Sequence, residues 1–267
     1  GALNLVMWTR FGTLANPGSV SIAGSTLNTN GGHIWIGAGN QSATDFNGLT
    51  VGQSPTTTFA ANSVGLLLSD SSINTSGGDI SLNGDTFYTS GTTADSSIGI
   101  LINNTRITTG IGDITAIGSS RGNYNSGSAI EFRANSSIST TSGNVMFQGT
   151  SSSINSPGGD VFSTYLHNKV FINTDSGSIN LTGSTTSNSL IGAGLRLGST
   201  SVAGNPASGN IATGVGAGYT TALISNSGNI TLNGAASSAS RTDGSQNGWA
   251  NVVYGSDKIL IQTNTGG

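Results

Sequence analysis

Apolar residues along this chain come in short alternating sets, and the sets return. In SSINTSGGDISLNG (71–84), Ile80 and Leu82 alternate with Asp79, Ser81 and Asn83, and Ile73 stands alone upstream. Nearly the same arrangement occupies STLNTNGGHIWIGA (25–38) and SSISTTSGNVMFQG (136–149). The clearest marker is Gly, any residue, Ile or Val, any residue, an apolar residue, then Gly. It reads GHIWIG (32–37), GDISLNG (78–84), GDITAIG (112–118), GNVMFQG (143–149), GSINLTG (177–183) and GNITLNG (228–234). GSVSIAG (18–24) reads as a further copy and GNIATG (209–214) as a degenerate one, while GGDVFS (158–163) falls between two others. Upstream of a marker lies a short strand such as SSINT, TRITT or SSIST. Upstream of that lies an apolar run: VGLLLS (64–69), IGILIN (98–103), AIEFRA (129–134) or AGLRLG (193–198).

Period-two alternation buries one face of a strand and exposes the other. Each unit therefore predicts three short strands with Gly, Ser and Asn at the corners, followed by a polar loop of variable length. One such coil cannot bury its own apolar face, whereas stacked coils bury a continuous core. The pattern predicts an all-β parallel β-helix, a β-solenoid of about eight irregular coils. A β-sandwich or barrel also uses short strands but has no reason to repeat its sequence. The expected core is Ile34, Ile36, Ile73, Ile80, Leu82, Ile107, Ile114, Ile138, Val145, Phe147, Ile179, Leu181, Ile230 and Leu232. A single solenoid over 1–267 is expected, with irregular first coils in 1–60, the clearest repeats in 61–234, and a loop and last coil in 235–267. The pattern is already running where the chain begins and ends, which suggests a segment of a longer polypeptide.

Composition narrows the functional classes. Charged residues make up 7% of the 267 residues, against about a quarter in an ordinary globular domain. Glu131 is the single Glu, Lys169 and Lys258 are the two Lys, and the net charge is −3. Nucleic-acid binding needs clustered cations, so no nucleic-acid partner is expected. The absence of Cys removes disulfides and thiolate metal sites. No basic, apolar leader is visible at GALNLVMWTR.

The runs GILINNTRITTGIGDITAIG and GLLLSDSSINTSGGDISLNG resemble the repeat regions of filamentous haemagglutinin-like exoproteins, exported by two-partner secretion. The likeness spans most of 17–234. It implies a right-handed β-helical rod, extracellular or on the bacterial cell surface, that attaches to host cells, other bacteria or a matrix, or serves as a stalk. It also implies an outer-membrane β-barrel transporter as export partner. The Asn-Pro-Asn signature of that family's secretion domain is absent: ANPGS (15–19) and GNPAS (204–208) do not fit, so the chain reads as repeat region. Some members are glycosylated, and Asn40, Asn74, Asn103, Asn135, Asn180 and Asn229 open Asn-x-Ser/Thr triplets, which chance accounts for in so polar a chain.

Two alternatives belong to other classes. A self-assembling filament or sheath subunit follows if open coil edges pair end to end or side by side. A polysaccharide-processing β-helix enzyme requires a cleft with several acidic side chains close together. Asp79, Asp113 and Asp160 share the position after a marker Gly but are replaced by Asn144, Ser178 and Asn229 in other units, which fits solvated corner residues better than a calcium site. His33 and His167 are isolated, so neither a metal nor a cofactor is expected. No catalytic residues stand out. The Thr pairs keep no common register, against an ice-binding face.

Two surface features suggest partner contacts. Trp35, between inward Ile34 and Ile36, is expected to point out beside His33 unless the loop at 40–60 covers it. In the apolar runs Leu67, Leu101 and Phe171 are expected to face outward, in one column with Glu131 and Arg196, covered by loops at 84–97, 118–127 and 183–190 or by a neighbouring rod.

Overall fold

The computed structural model describes residues 1–8, 19–38, 46–47, 63–88, 96–122, 126–133, 135–153, 160–167, 169–187, 191–198, 221–238, 253–255 and 259–265. Coil one comprises β1 (Leu5–Trp8), β2 (Val20–Ala23) and β3 (Thr26–Asn28); coil two comprises β4 (Ile34–Ala38), β5 (Ser63–Ser69) and β6 (Ser72–Asn74). Coil three holds β7 (Ile80–Tyr88), β8 (Ser96–Asn103) and β9 (Arg106–Gly110), and coil four β10 (Ile114–Gly122), β11 (Ser126–Phe132) and β12 (Ser136–Thr140). Coil five follows with β13 (Val145–Ser153), β14 (Asp160–Leu166) and β15 (Val170–Thr174), and coil six with β16 (Ile179–Ser187), β17 (Ile191–Leu197) and β18 (Thr221–Ser225). Coil seven has β19 (Ile230–Ser238), β20 (Val253–Gly255) and β21 (Ile259–Thr263).

The first strand of every coil joins sheet A, the second sheet B and the third sheet C, each a seven-stranded parallel sheet stacked in chain order. This is a parallel β-solenoid. Six steps of about 4.8 Å give a stack about 30 Å long. Among the described residues the stack holds seven coils, against the expected number of about eight. GSVSIAG forms β2 of sheet B, where Val20 and Ile22 pair with Leu66 and Leu68, and is not a marker strand. GGDVFS supplies β14 of sheet B, so Asp160 pairs with Ile191 and does not share the corner of Asp79 and Asp113. Ile179 pairs directly with Ile230, 51 residues on, and GNIATG lies outside the described residues.

The core columns follow the alternation. Ile34, Ile36, Ile73, Ile80, Leu82, Ile107, Ile114, Ile138, Val145, Phe147, Ile179 and Leu181 are buried in one continuous cluster. Ile230 and Leu232 pack against it half-buried, because coil seven has no further coil above it among the described residues. Phe147 stacks on Phe132 at 5.0 Å between ring centres.

The corner from sheet C to sheet A is the most regular part of the fold. Thr29, Thr75, Thr109, Thr140 and Thr174 are buried and each donates its hydroxyl to the carbonyl of the Gly three residues on. Those glycines are required by close approach: a Cβ on Gly78, Gly112, Gly143, Gly177 or Gly228 would overlap the carbonyl of the equivalent Gly one coil below. The next residue carries a hydrogen-bond acceptor in every coil. The backbone N–H of His33 donates to Asn4 Oδ1 (2.8 Å), that of Asp79 to His33 Nδ1 (2.9 Å), and that of Asp113 to Asp79 Oδ1 (2.8 Å). Asn144 N–H donates to Asp113 Oδ1 (2.7 Å), Ser178 N–H to Asn144 Oδ1 (3.0 Å) and Asn229 N–H to Ser178 Oγ (3.2 Å). Asp, Asn, Ser and His interchange here because each presents an acceptor. The steps of this ladder are 29, 46, 34, 31, 34 and 51 residues, so coil length varies without disturbing the corner.

Sheet A strands are longer than the marker. In coils three to six they continue past the second marker Gly, so 84–88, 118–122 and 183–187 are strand and not loop. At that Gly sheets A and B pinch together: a Cβ on Gly84, Gly118, Gly149 or Gly183 would overlap the carbonyl of Gly99, Ala129, Ser163 or Gly194 in sheet B. Beyond the pinch, hydroxyls share the interior with Val161. Ser97 Oγ donates to Thr86 Oγ1 (2.7 Å), Ser151 Oγ to Phe162 O (2.7 Å) and Thr185 Oγ1 to Ala193 O (2.7 Å), all buried. Paired in this way, buried hydroxyls lose no hydrogen bond on leaving water.

Candidate functional site

The ladder of sheet B skips the pinch position in coils two to six, passing from Val64–Ile98 to Leu66–Ile100, from Ser128–Phe162 to Ile130–Thr164 and from Phe162–Ala193 to Thr164–Leu195. The kink shifts the alternation, as bulges do. Residues 100 and 102 enter the core, while Ile98 and Leu101 take the opposite, outer face. One outer column runs Leu67, Leu101, Glu131, Tyr165, Arg196. A second runs Val64, Ile98, Ser128, Phe162, Ala193.

Phe171 is not part of this face. It lies in sheet C, paired with Ser137 and Ala222, and Tyr165 fills the place expected for it. The alternation in VFINT (170–174) belongs to a sheet C strand that follows, rather than replaces, the outer column of β14.

From Leu101 onward the outer column is buried. Glu131 is 5% exposed, Tyr165 3% and Arg196 2%. The Glu131 carboxylate accepts from Arg133 Nε (2.8 Å) and from His167 Nε2 (2.6 Å), both on Oε1. The His167 ring lies over Tyr165 at 3.7 Å between centres. The Arg196 guanidinium sits over the rings of Phe162 (4.7 Å) and Tyr165 (5.2 Å), in cation–π range. Burial pushes the Glu131 carboxyl up, but the hydrogen bond and charge of His167, with the charge and hydrogen bond of Arg133, outweigh it and hold it below the ordinary value of 4.5.

A group whose folded pKa is depressed stabilises the fold above its unfolded pKa and loses that contribution as pH falls through the folded value. Glu131→Gln is therefore expected to lower stability by about 2 kcal/mol near neutral pH. The deficit relative to wild type should shrink progressively below pH 4.5. Denaturant midpoints for both proteins across the acid range check this. A deficit that grows on acidification would contradict the assignment.

Beside this cluster lies a recess of about 180 Å³, lined by Ser96, Ile98, Ser126, Gly127, Ser128, Glu131, Arg133, Phe162 and Tyr165. Its origin is in the sequence of one strand. Coil four places the small residues Ser126, Gly127 and Ser128 between Ile98 of coil three and Phe162 of coil five. Ile98 and Phe162 are thus two coils apart, about 10 Å, with a hydroxyl-bearing floor between. Glu131 is the one acidic side chain in its lining.

The other expected contact residues lie elsewhere. Trp35 belongs to the outer face of sheet A yet is 1% exposed, and a Cβ on Gly37 would run into its ring. His33 belongs to the corner ladder: its Nδ1 accepts from Asp79 N–H and from Asn47 Nδ2 (3.1 Å), and its ring meets Phe46 edge-on. Since Nδ1 is an acceptor, its 3.5 Å approach to Asp79 Oδ2 is not an ion pair. Leu67 and Leu101 stand in the outer column below Glu131 but outside the recess lining. Sequence reasoning missed Tyr165, Phe162, Arg133 and His167 as neighbours of Glu131. The signal was available, because T-Y-L-H (164–167) aligns with I-E-F-R (130–133) once β14 is placed in sheet B.

No family model, curated protein or solved structure matches this chain.

Proposed function

We propose that this chain is part of an extracellular adhesive rod of a bacterial surface or secreted protein, in which the stacked coils supply length and one edge supplies recognition. The reading rests chiefly on how variation is distributed. The corner from sheet C to sheet A repeats its hydroxyl, glycine and acceptor in coil after coil. The connection from sheet A to sheet B ranges from residues 123–125 to residues 39–62. A constant scaffold whose variable connections lie mainly along the edge from sheet A to sheet B, with one more at residues 198–220 between sheets B and C, suits display to a partner. The recess opens at the same edge, since Ser96 and Ser126 begin the sheet B strands that follow those connections. The resemblance to filamentous haemagglutinin-like repeats adds export through an outer-membrane β-barrel and attachment to cells or matrix.

Beads coated densely with the chain test the adhesive reading on panels of host cells, bacteria and polysaccharide matrices. Retention about tenfold above bare beads is expected on at least one surface, because many weak contacts act together. Retention at the bare-bead level on every surface overturns it.

A further inference from the structure

We propose that the recess on sheet B binds the ring of one acidic sugar, a hexuronate residue, with the ring against Phe162 and its carboxylate on Arg133; this rests on the adhesive reading and names the chemistry of its ligand. The volume of about 180 Å³ suits a single ring and not a chain segment. One wall is the aromatic Phe162 and the other the aliphatic Ile98, while Ser126 and Ser128 put hydroxyls on the floor. That combination fits a molecule with apolar C–H faces and a hydroxyl-bearing edge.

The open donors of Arg133 decide between neutral and acidic sugars. Glu131 Oε1 is already shared by Arg133 Nε and His167 Nε2. The lining thus presents one carboxylate, already engaged, beside the Arg133 guanidinium. Arg133 commits only Nε within the described residues, and its side chain is 45% exposed. Its two terminal nitrogens form a planar fork matched to a carboxylate. Glu131 fixes the other side of that guanidinium, so the fork is already oriented before a ligand arrives.

The test titrates methyl glucuronide, methyl glucoside and acetate separately into ¹⁵N-labelled protein. The amides of Ser126, Gly127, Ser128 and Phe162 are followed, with the Arg133 side-chain Nε–H. Glucuronide is expected to shift these signals with a Kd of ~1 mM. Glucoside and acetate, each lacking half of the complement, should bind at least about tenfold more weakly. Arg133→Gln should weaken glucuronide about tenfold and leave glucoside unchanged. Ser128→Leu, which fills the floor, should abolish both responses. Thermal midpoints confirm that each variant is folded. The proposal is overturned by silence at these amides, by equal affinity for glucoside, or by glucuronide binding that ignores both substitutions. Beads that adhere while the recess stays silent overturn this ligand alone. A recess that responds on beads that do not adhere supports the ligand and overturns the adhesive reading.

Discussion

Gly112→Val is expected to destabilise the stack by about 4 kcal/mol, or to prevent folding altogether. The reason is local and steric. A Cβ at 112 would overlap the carbonyl of Gly78, a backbone atom that cannot rotate away. Relief requires coils three and four to separate at their most regular corner. That separation strains the bond from Thr109 to the Gly112 carbonyl and the ladder bond from Asp113 N–H to Asp79. Gly110, two residues earlier, provides the contrast. Its φ of +75° is left-handed, but a Cβ there meets nothing closer than 3.9 Å. Asn30 occupies the equivalent place in coil one with φ 51°. Gly110→Asn should therefore cost under about 1 kcal/mol. Urea midpoints of the two variants separate close approach from backbone conformation; equal losses would sink the distinction.

The second large effect concerns the core of coil four. Phe132 is fully buried and stacked on Phe147 of coil five. Ala116 of coil four, in the same core cluster, stands in the sheet A column between Leu82 below and Phe147 above. The small residue on one wall matches the large one on another. Phe132→Ala is expected to cost about 4 kcal/mol through lost burial and the cavity left behind. Ala116→Leu alone should cost about 2 kcal/mol by overpacking. Together the two should cost at least about 1 kcal/mol less than their sum, because the added leucine occupies the vacated space. A double-mutant cycle from denaturation curves measures this, and strict additivity would show that the two positions do not share a volume.

What could be read from the sequence follows from where each interaction is local. Ile80 and Leu82 were legible because period-two alternation fixes their face within their own strand. The strand extension 118–122 was not. GSSRG looks like a loop, and its strand character comes from ladder pairing with 84–88 and 149–153, which buries Ser120 with its hydroxyl on Ser97 O. GSVSIAG passed as a marker because Gly-x-Val also occurs outside sheet A. The corner supplies the missing criterion: a buried Thr or Ser three residues before the Gly. Ala15 stands at that place before Gly18 and cannot donate the hydroxyl. Ser225 before Gly228 satisfies it, with Gly228 N–H donating to Ser225 Oγ. The outer column of sheet B was partly legible from Leu67, Leu101, Glu131 and Arg196. Tyr165 was hidden because the kink at the pinch breaks the alternation used to count along β14. The pairing of Glu131 with His167 was hidden for the same reason, since His167 is 36 residues away and becomes a neighbour only in register.

The most direct test of the rod is electron microscopy of natively purified material with mass determination of the intact polypeptide. Long, thin rods drawn from a single chain much larger than 26.5 kDa are the expected result. Filaments assembled from separate chains of about that mass would contradict the stalk, and make edge-to-edge pairing of coils the activity to explain.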